Sequence, residues 1–190
     1  MSSSGGPNAL PRATFMELAG RAIAAAVRRR GDPGDRAWAE SLLSPGEFVL
    51  WIRQSEYDQS HAVQVARRVE RRLARTAHAG EGLWPGVALM HDVGKSESNL
   101  SLPERVVATL ASKVFGVATA RVWAASASGW KRRLGLYLIH GELGAAMIRA
   151  AGGREEAAVW SEVHQGYATS VASGILPPVV VRALIESDVA

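Results

Sequence analysis

The segment Trp84-Pro85-Gly86-Val87-Ala88-Leu89-Met90-His91-Asp92 is apolar throughout until it sets an imidazole beside a carboxylate. Such a run is expected to form a short helix from Trp84 to Asp92 through the middle of a domain, with Gly94 ending it. Burying an adjacent His and Asp costs on the order of several kcal/mol unless a metal or a partner satisfies them. A fold that accepts this segment must therefore bring partners to it. The chain contains no cysteine, which removes disulfides, thiolate nucleophiles and cysteine-based zinc sites together. Any metal would have to rest on imidazole and carboxylate groups.

The rest of the chain reads as helices. At 190 residues it suits one domain with a sizeable core. Met1 to Arg12 is Ser/Gly/Pro-rich and is expected to be a flexible tail. Ala13–Arg30 and Arg36–Leu43 are expected as helices, divided by Gly31-Asp32-Pro33-Gly34. Ser44-Pro45-Gly46-Glu47 combines a capping Ser, a Pro at the first position and an acid in the first turn, and so should open the next helix. Gln59–Thr76 is the clearest amphipathic stretch: Val65, Ala66, Val69 and Leu73 share one side, and Arg67, Arg68, Arg71 and Arg75 gather opposite. Further helices are expected over Pro103–Ala120, Lys131–Ala151 and Arg154–His164, with Gly152-Gly153 as the linker between the last two. Pro177-Pro178 opens a final helix. No strand pattern and no internal repeat is evident. The fold class expected is all-α, with residues 13–43 packing on a main domain of 44–190.

The net charge of +4 and the isoelectric point near 10.0 raise the question of a polyanionic partner. The positive charge is nearly all arginine, with only Lys95, Lys113 and Lys131 as lysines, which also fits simple coding bias. The preferred reading is therefore a small-molecule partner rather than nucleic acid. The most apolar stretch, Ala111 to Trp130, is interrupted by Lys113 and Arg121, so no membrane span is expected. Without a signal-like start, a cytoplasmic location is the default expectation.

Five histidines occur, at 61, 78, 91, 140 and 164. Any one alone would more simply be a core or surface residue; their joint placement changes that. His61 falls at the edge of the Val65/Val69/Leu73 stripe, where a cleft-lining residue belongs. Asp188 follows Val181, Leu184 and Ile185 on the final helix and faces the same burial cost as Asp92 if that face packs inward. His78 lies in a polar loop and is expected to be exposed.

His61, then His91-Asp92, then Asp188 near the end of an all-helical domain resembles the HD superfamily of metal-dependent phosphohydrolases. The strings His61-Ala62-Val63-Gln64-Val65-Ala66 and Leu89-Met90-His91-Asp92-Val93-Gly94-Lys95 carry the resemblance, which spans roughly residues 44 to 190. Tyr137-Leu138-Ile139-His140-Gly141-Glu142 and Val159-Trp160-Ser161-Glu162-Val163-His164-Gln165 are similar to the segments that supply further ligands in HD proteins with two metals, such as HD-type diadenosine tetraphosphate hydrolases. The Gly-Tyr-Pro signature of the HD-GYP group is missing, since Ala168 follows Gly166-Tyr167, so cyclic-dinucleotide cleavage is not expected.

The resemblance implies a single HD-type helical bundle. It implies one or two divalent transition ions (Fe, Mn, Zn or Co) held by His61, His91, Asp92, His140, His164 and Asp188, with Asp92 bridging. Two ions about 3.5–4 Å apart activate a shared water and clamp both attacking and leaving oxygens. The implied activity is hydrolysis of a phosphoester or phosphoanhydride bond in a small phosphorylated, nucleotide-like substrate, with Asp92 at the reacting centre and Lys95 touching phosphate. The alternative is an HD-fold regulatory module that binds nucleotide or metal without turnover. Arg68 and Arg72 flank His61 on the helical wheel; a phosphate or base contact and a solvated face both fit them. Trp123 and Trp130 could equally cover the site or pack between helices.

Overall fold

The computed structural model describes residues 32–111, 114–166 and 174–188. The tail over 1–12, the helix expected at Ala13–Arg30 and the Tyr167-Ala168 pair lie outside the described residues. Among those described, every regular element is a helix.

α1 spans Pro33–Leu42. Asp32 caps it, its side chain accepting from the Gly34 amide, and Pro33 supplies a preset φ at the first position. α2 spans Pro45–Ile52 and begins with a full capping box: Ser44 Oγ accepts from Glu47 N, while the Glu47 carboxylate accepts from Ser44 N. α3 covers Glu56–Leu73, three residues earlier at each end than its periodicity suggests, because Ser55 caps it by accepting from Asp58 N. Ala62, Val65, Ala66, Val69 and Leu73 form its buried face.

α4, Leu83–Leu89, is buried from Trp84 onward and packs on α3. It stops short of the His-Asp pair. His91 and Asp92 stand instead in the turn that leads into a 3-10 helix over Val93–Glu97, so Gly94 lies within that second element rather than terminating the first.

Two stretches read as single helices are each divided. Pro103–Ala120 resolves into α5, Leu102–Ala111, and α6, Val117–Ser126. Lys131–Ala151 resolves into α7, Gly129–Leu138, and α8, His140–Ala150, with Ile139 leaving helical geometry at φ −110°, ψ 21°. No Gly or Pro marks Ile139, so periodicity is blind to this break. α9 spans Glu155–Val163 and α10 spans Pro178–Asp188.

The main core runs through α1–α4 and α8–α10, around Trp51, Leu73, Leu89, Met90, Ile148, Trp160 and Leu184. A smaller cluster of Leu100, Ala108 and Leu134, flanked by Trp123 and Tyr137, ties α5, α6 and α7 together. Trp123 is therefore a packing residue, and Trp130 is exposed. Two buried carboxylates fasten helices to one another. Glu47 of α2 accepts from the Arg154 guanidinium and from its backbone amide. Asp58 of α3 accepts from Arg105 of α5 at 2.6 and 2.7 Å. No described helix is long and apolar enough to cross a membrane.

Candidate metal centre

Six residues far apart in the chain converge where α3, the 3-10 helix, α8, α9 and α10 meet. His61 comes from α3, Asp188 from the last turn of α10, and His91 and Asp92 from the turn after α4. His140 is the first residue of α8, and His164 immediately follows α9. All but His61 and Asp188 are buried.

They form two groups whose ligand atoms lie within 4.8 Å of one another: His61, His91 and Asp188 in one, Asp92, His140 and His164 in the other. In the first, Asp188 Oδ1 is 3.5 Å from His61 Nε2 and 3.4 Å from His91 Nε2. In the second, Asp92 Oδ1 is 3.1 Å from His140 Nε2 and 3.4 Å from His164 Nε2. The other oxygen of the same carboxylate, Asp92 Oδ2, lies 3.2 Å from His91 Nε2. Asp92 thus divides its two oxygens between the groups.

Three of the imidazoles are oriented in the same way. His91 Nδ1 meets the Ala88 carbonyl at 2.8 Å, His140 Nδ1 meets Tyr137 O at 2.6 Å, and His164 Nδ1 meets Ser161 O at 2.7 Å. A carbonyl only accepts, so each Nδ1 carries a hydrogen and each ring turns its Nε2 toward Asp92. His140 Nε2 and His164 Nε2 then face one another at 3.3 Å. Among the described residues, His91 Nε2 and Asp92 Oδ1 have no hydrogen-bond partner. Nitrogen and oxygen donors so gathered, four of the six residues being buried, offer a cation a ready set of ligands. The donor set of imidazole nitrogens and carboxylate oxygens fits borderline divalent ions, and backbone carbonyls that fix Nδ1 are the usual outer support of such ligands.

The electrostatics favour positive charge beside Asp92 and Asp188. Burial opposes the Asp92 charge, but His91 and Lys95 outweigh it and hold this carboxyl well below the ordinary range. Burial also pushes His91 down, yet Asp92 and Asp188 raise it to about 10. Burial, with Lys95 adding to it, depresses His140 to about 4, leaving it neutral and free to donate its lone pair. In Asp188, the imidazoles of His61 and His91 beside the carboxylate overcome burial and keep it ionised.

Close helix approach makes this convergence possible. A Cβ on Gly94 would collide with the His140 carbonyl oxygen and the Gly144 amide, and one on Gly144 would strike Ser161 Oγ. Ser161 is buried and its hydroxyl donates to the carbonyl of His91 at 3.1 Å, tying α9 to the His-Asp turn. Gly94→Ala is therefore expected to force α8 away from Asp92, costing about 1–3 kcal/mol as overpacking does. Thermal unfolding and metal content should both fall; a variant with normal values of each would show that the contact is not needed.

All six metal-ligand residues expected from the sequence are brought together. Lys95 is placed against Asp92, its ammonium bonded to Oδ2. His78 lies apart, half-buried against Trp84 and paired with Glu81. Arg68 and Arg72 both reach the end of α10, Arg68 through a partly buried bond and Arg72 on a solvent-exposed face. The orienting carbonyls of Ala88, Tyr137 and Ser161 escaped sequence reading, because backbone groups leave no trace in residue identity. Ser161 could have been suspected as a small polar residue within the buried face of α9. No protein-family model, curated protein or solved structure matches the chain. What stands on the structure alone is an all-α protein with a buried His/Asp centre able to hold metal.

Proposed function

We propose that this protein is a metal-dependent phosphohydrolase of the HD type, acting on a phosphoester or phosphoanhydride bond of a nucleotide-like small molecule. The observation that carries the proposal is the division of Asp92: one buried carboxylate offers an oxygen to each of two imidazole-bearing groups. That is the arrangement a bridging ligand of a two-ion centre requires. When bound, such a pair of ions supplies Lewis acidity, lowering the pKa of water and polarising a phosphoryl oxygen.

The chain's own residues have distinct tasks. Asp92 neutralises part of the ionic charge and sets the spacing of the two groups. The carbonyl-held rings of His91, His140 and His164 are preorganised, so little rearrangement accompanies binding. Lys95 keeps Asp92 ionised and adds positive charge at the rim, where a substrate phosphate would approach. The buried walls around His140 and His164 exclude water and strengthen every charge interaction inside.

Elemental analysis of protein purified without chelator or histidine tag, beside a phosphate-release screen of nucleotides and dinucleoside polyphosphates, tests this. Two equivalents of a transition metal and chelator-sensitive turnover are expected. His164→Ala should keep about one equivalent, because His61, His91 and Asp188 remain. Metal without turnover on any phosphorylated substrate would favour a binding or regulatory module. Absence of metal even after reloading with Mn(II) or Fe(II) would end the hydrolytic reading.

A further inference from the structure

The ligand Asp188 is the final residue of α10, where a helix frays most easily and where its last carbonyls have no partner inside the helix. Its Oδ1 must nevertheless hold position against both His61 and His91. The neighbouring helix supplies the restraint. On α3, Arg68 stands two helical turns beyond His61, and Arg72 one further turn along the same stripe. α10 packs against this stripe. Arg68 Nη1 donates to the carbonyl oxygen of Ser187 at 3.1 Å. Arg72 donates to Glu186, through Nη1 to the carboxylate at 2.6 Å and through Nη2 to the carbonyl at 3.3 Å.

A guanidinium at a helix C-terminus satisfies unpaired carbonyls and complements the negative end of the helix dipole. The two contacts are unequal. The Arg72–Glu186 pair is solvent-exposed, and such pairs contribute little. The Arg68 bond is partly buried and fixes the peptide carbonyl directly before Asp188.

Resting on the metal-centre reading above, we infer that Arg68 is a positioning residue for the His61/His91/Asp188 half of the centre. It holds the last turn of α10 to the same helix that carries His61, so that one rigid element sets the distance between His61 and Asp188. The other half, built from Asp92, His140 and His164, has no contact with this clamp among the described residues.

Co(II) titration of the full chain, stripped with chelator and followed by visible absorption, tests the inference in two backgrounds. His164→Ala leaves the first half intact, and His61→Ala leaves the second. Arg68→Ala is expected to weaken Co(II) binding about 10–100-fold in the His164→Ala background, the cost usual for an outer-shell partner, and to leave it unchanged in the His61→Ala background. Arg68→Lys, which keeps a cationic donor for the Ser187 carbonyl, should restore most of the affinity. Arg68→Gln retains a polar stem for folding, checked by circular dichroism, but is too short to reach, and should behave like Arg68→Ala. Unchanged affinity in both backgrounds, or equal loss in both, would overturn the positioning role. If the His164→Ala protein with Arg68 intact takes up no Co(II), the first half does not bind metal and the inference fails with the reading beneath it.

Discussion

Asp92→Asn is expected to strip the protein of metal while leaving its helices folded. The amide is nearly isosteric with the carboxylate, so the packing around a fully buried position is preserved. Its charge is lost, however, and an amide oxygen cannot serve two imidazole groups as the paired carboxylate oxygens do. His140 and His164 would retain no anionic partner, and His91 only Asp188. The loss should exceed the roughly 10–100-fold that removal of an outer-shell partner costs. Turnover on any phosphorylated substrate should fall to background. In thermal unfolding, wild-type protein should gain stability with added metal, by about 2.7 kcal/mol at a free concentration one hundred times Kd, whereas the variant should show no such rise. Two equivalents of metal retained by Asp92→Asn would remove the bridging role of this residue.

Glu47→Ala should be the most destabilising substitution away from the metal centre. Glu47 is fully buried, yet it accepts from Ser44 N, Arg154 N and the Arg154 guanidinium. It thereby caps α2 and fastens it to the start of α9. Removing one partner of a buried ion pair leaves the other uncompensated and costs about 3–5 kcal/mol. For a chain of this size that corresponds to a fall in Tm of roughly 10 °C. The pair also gives stability a pH dependence of definite sign. Burial opposes the Glu47 charge, but Arg154 and the Ser44 amide outweigh it and hold the carboxyl below its ordinary 4.5. A depressed carboxyl contributes fully above its unfolded-state pKa and loses that contribution as the pH falls through its folded-state value. Acidification below about pH 4.5 should therefore remove it from wild-type protein. Glu47→Gln, which cannot ionise, should start less stable and show a flatter acid limb. Parallel pH curves for the two proteins would assign the stabilisation to packing instead.

Residue identity and spacing were sufficient for the all-α class, for the caps at Ser44 and Pro178, and for the buried stripe of α3. Each follows from local chemistry: a hydroxyl that satisfies free amides, a ring that presets φ, an apolar repeat at helical period. The candidate ligands were legible in two ways: His61, His91, Asp92 and Asp188 by an imidazole or carboxylate set against apolar neighbours, and His140 and His164 only through the resemblance to the HD superfamily. The tertiary structure decided what depends on packing between distant segments. The break at Ile139, which turns His140 toward Asp92, lies between residues that read equally well as one continuous helix. The His-Asp pair stands in a turn after α4, and Gly94 beyond it passes beside the His140 carbonyl, a contact visible only once α8 is in place. Glu47 reads as a first-turn acid, and its bond to Arg154 spans more than a hundred residues. Arg68 and Arg72 read as a solvated or phosphate-facing pair; Arg72 is indeed exposed, and only the arrival of the last turn of α10 shows that both hold its carbonyls. Local propensity is encoded within a helical turn, whereas the length of a side chain's reach across a helix interface is settled by the packing of the two helices together.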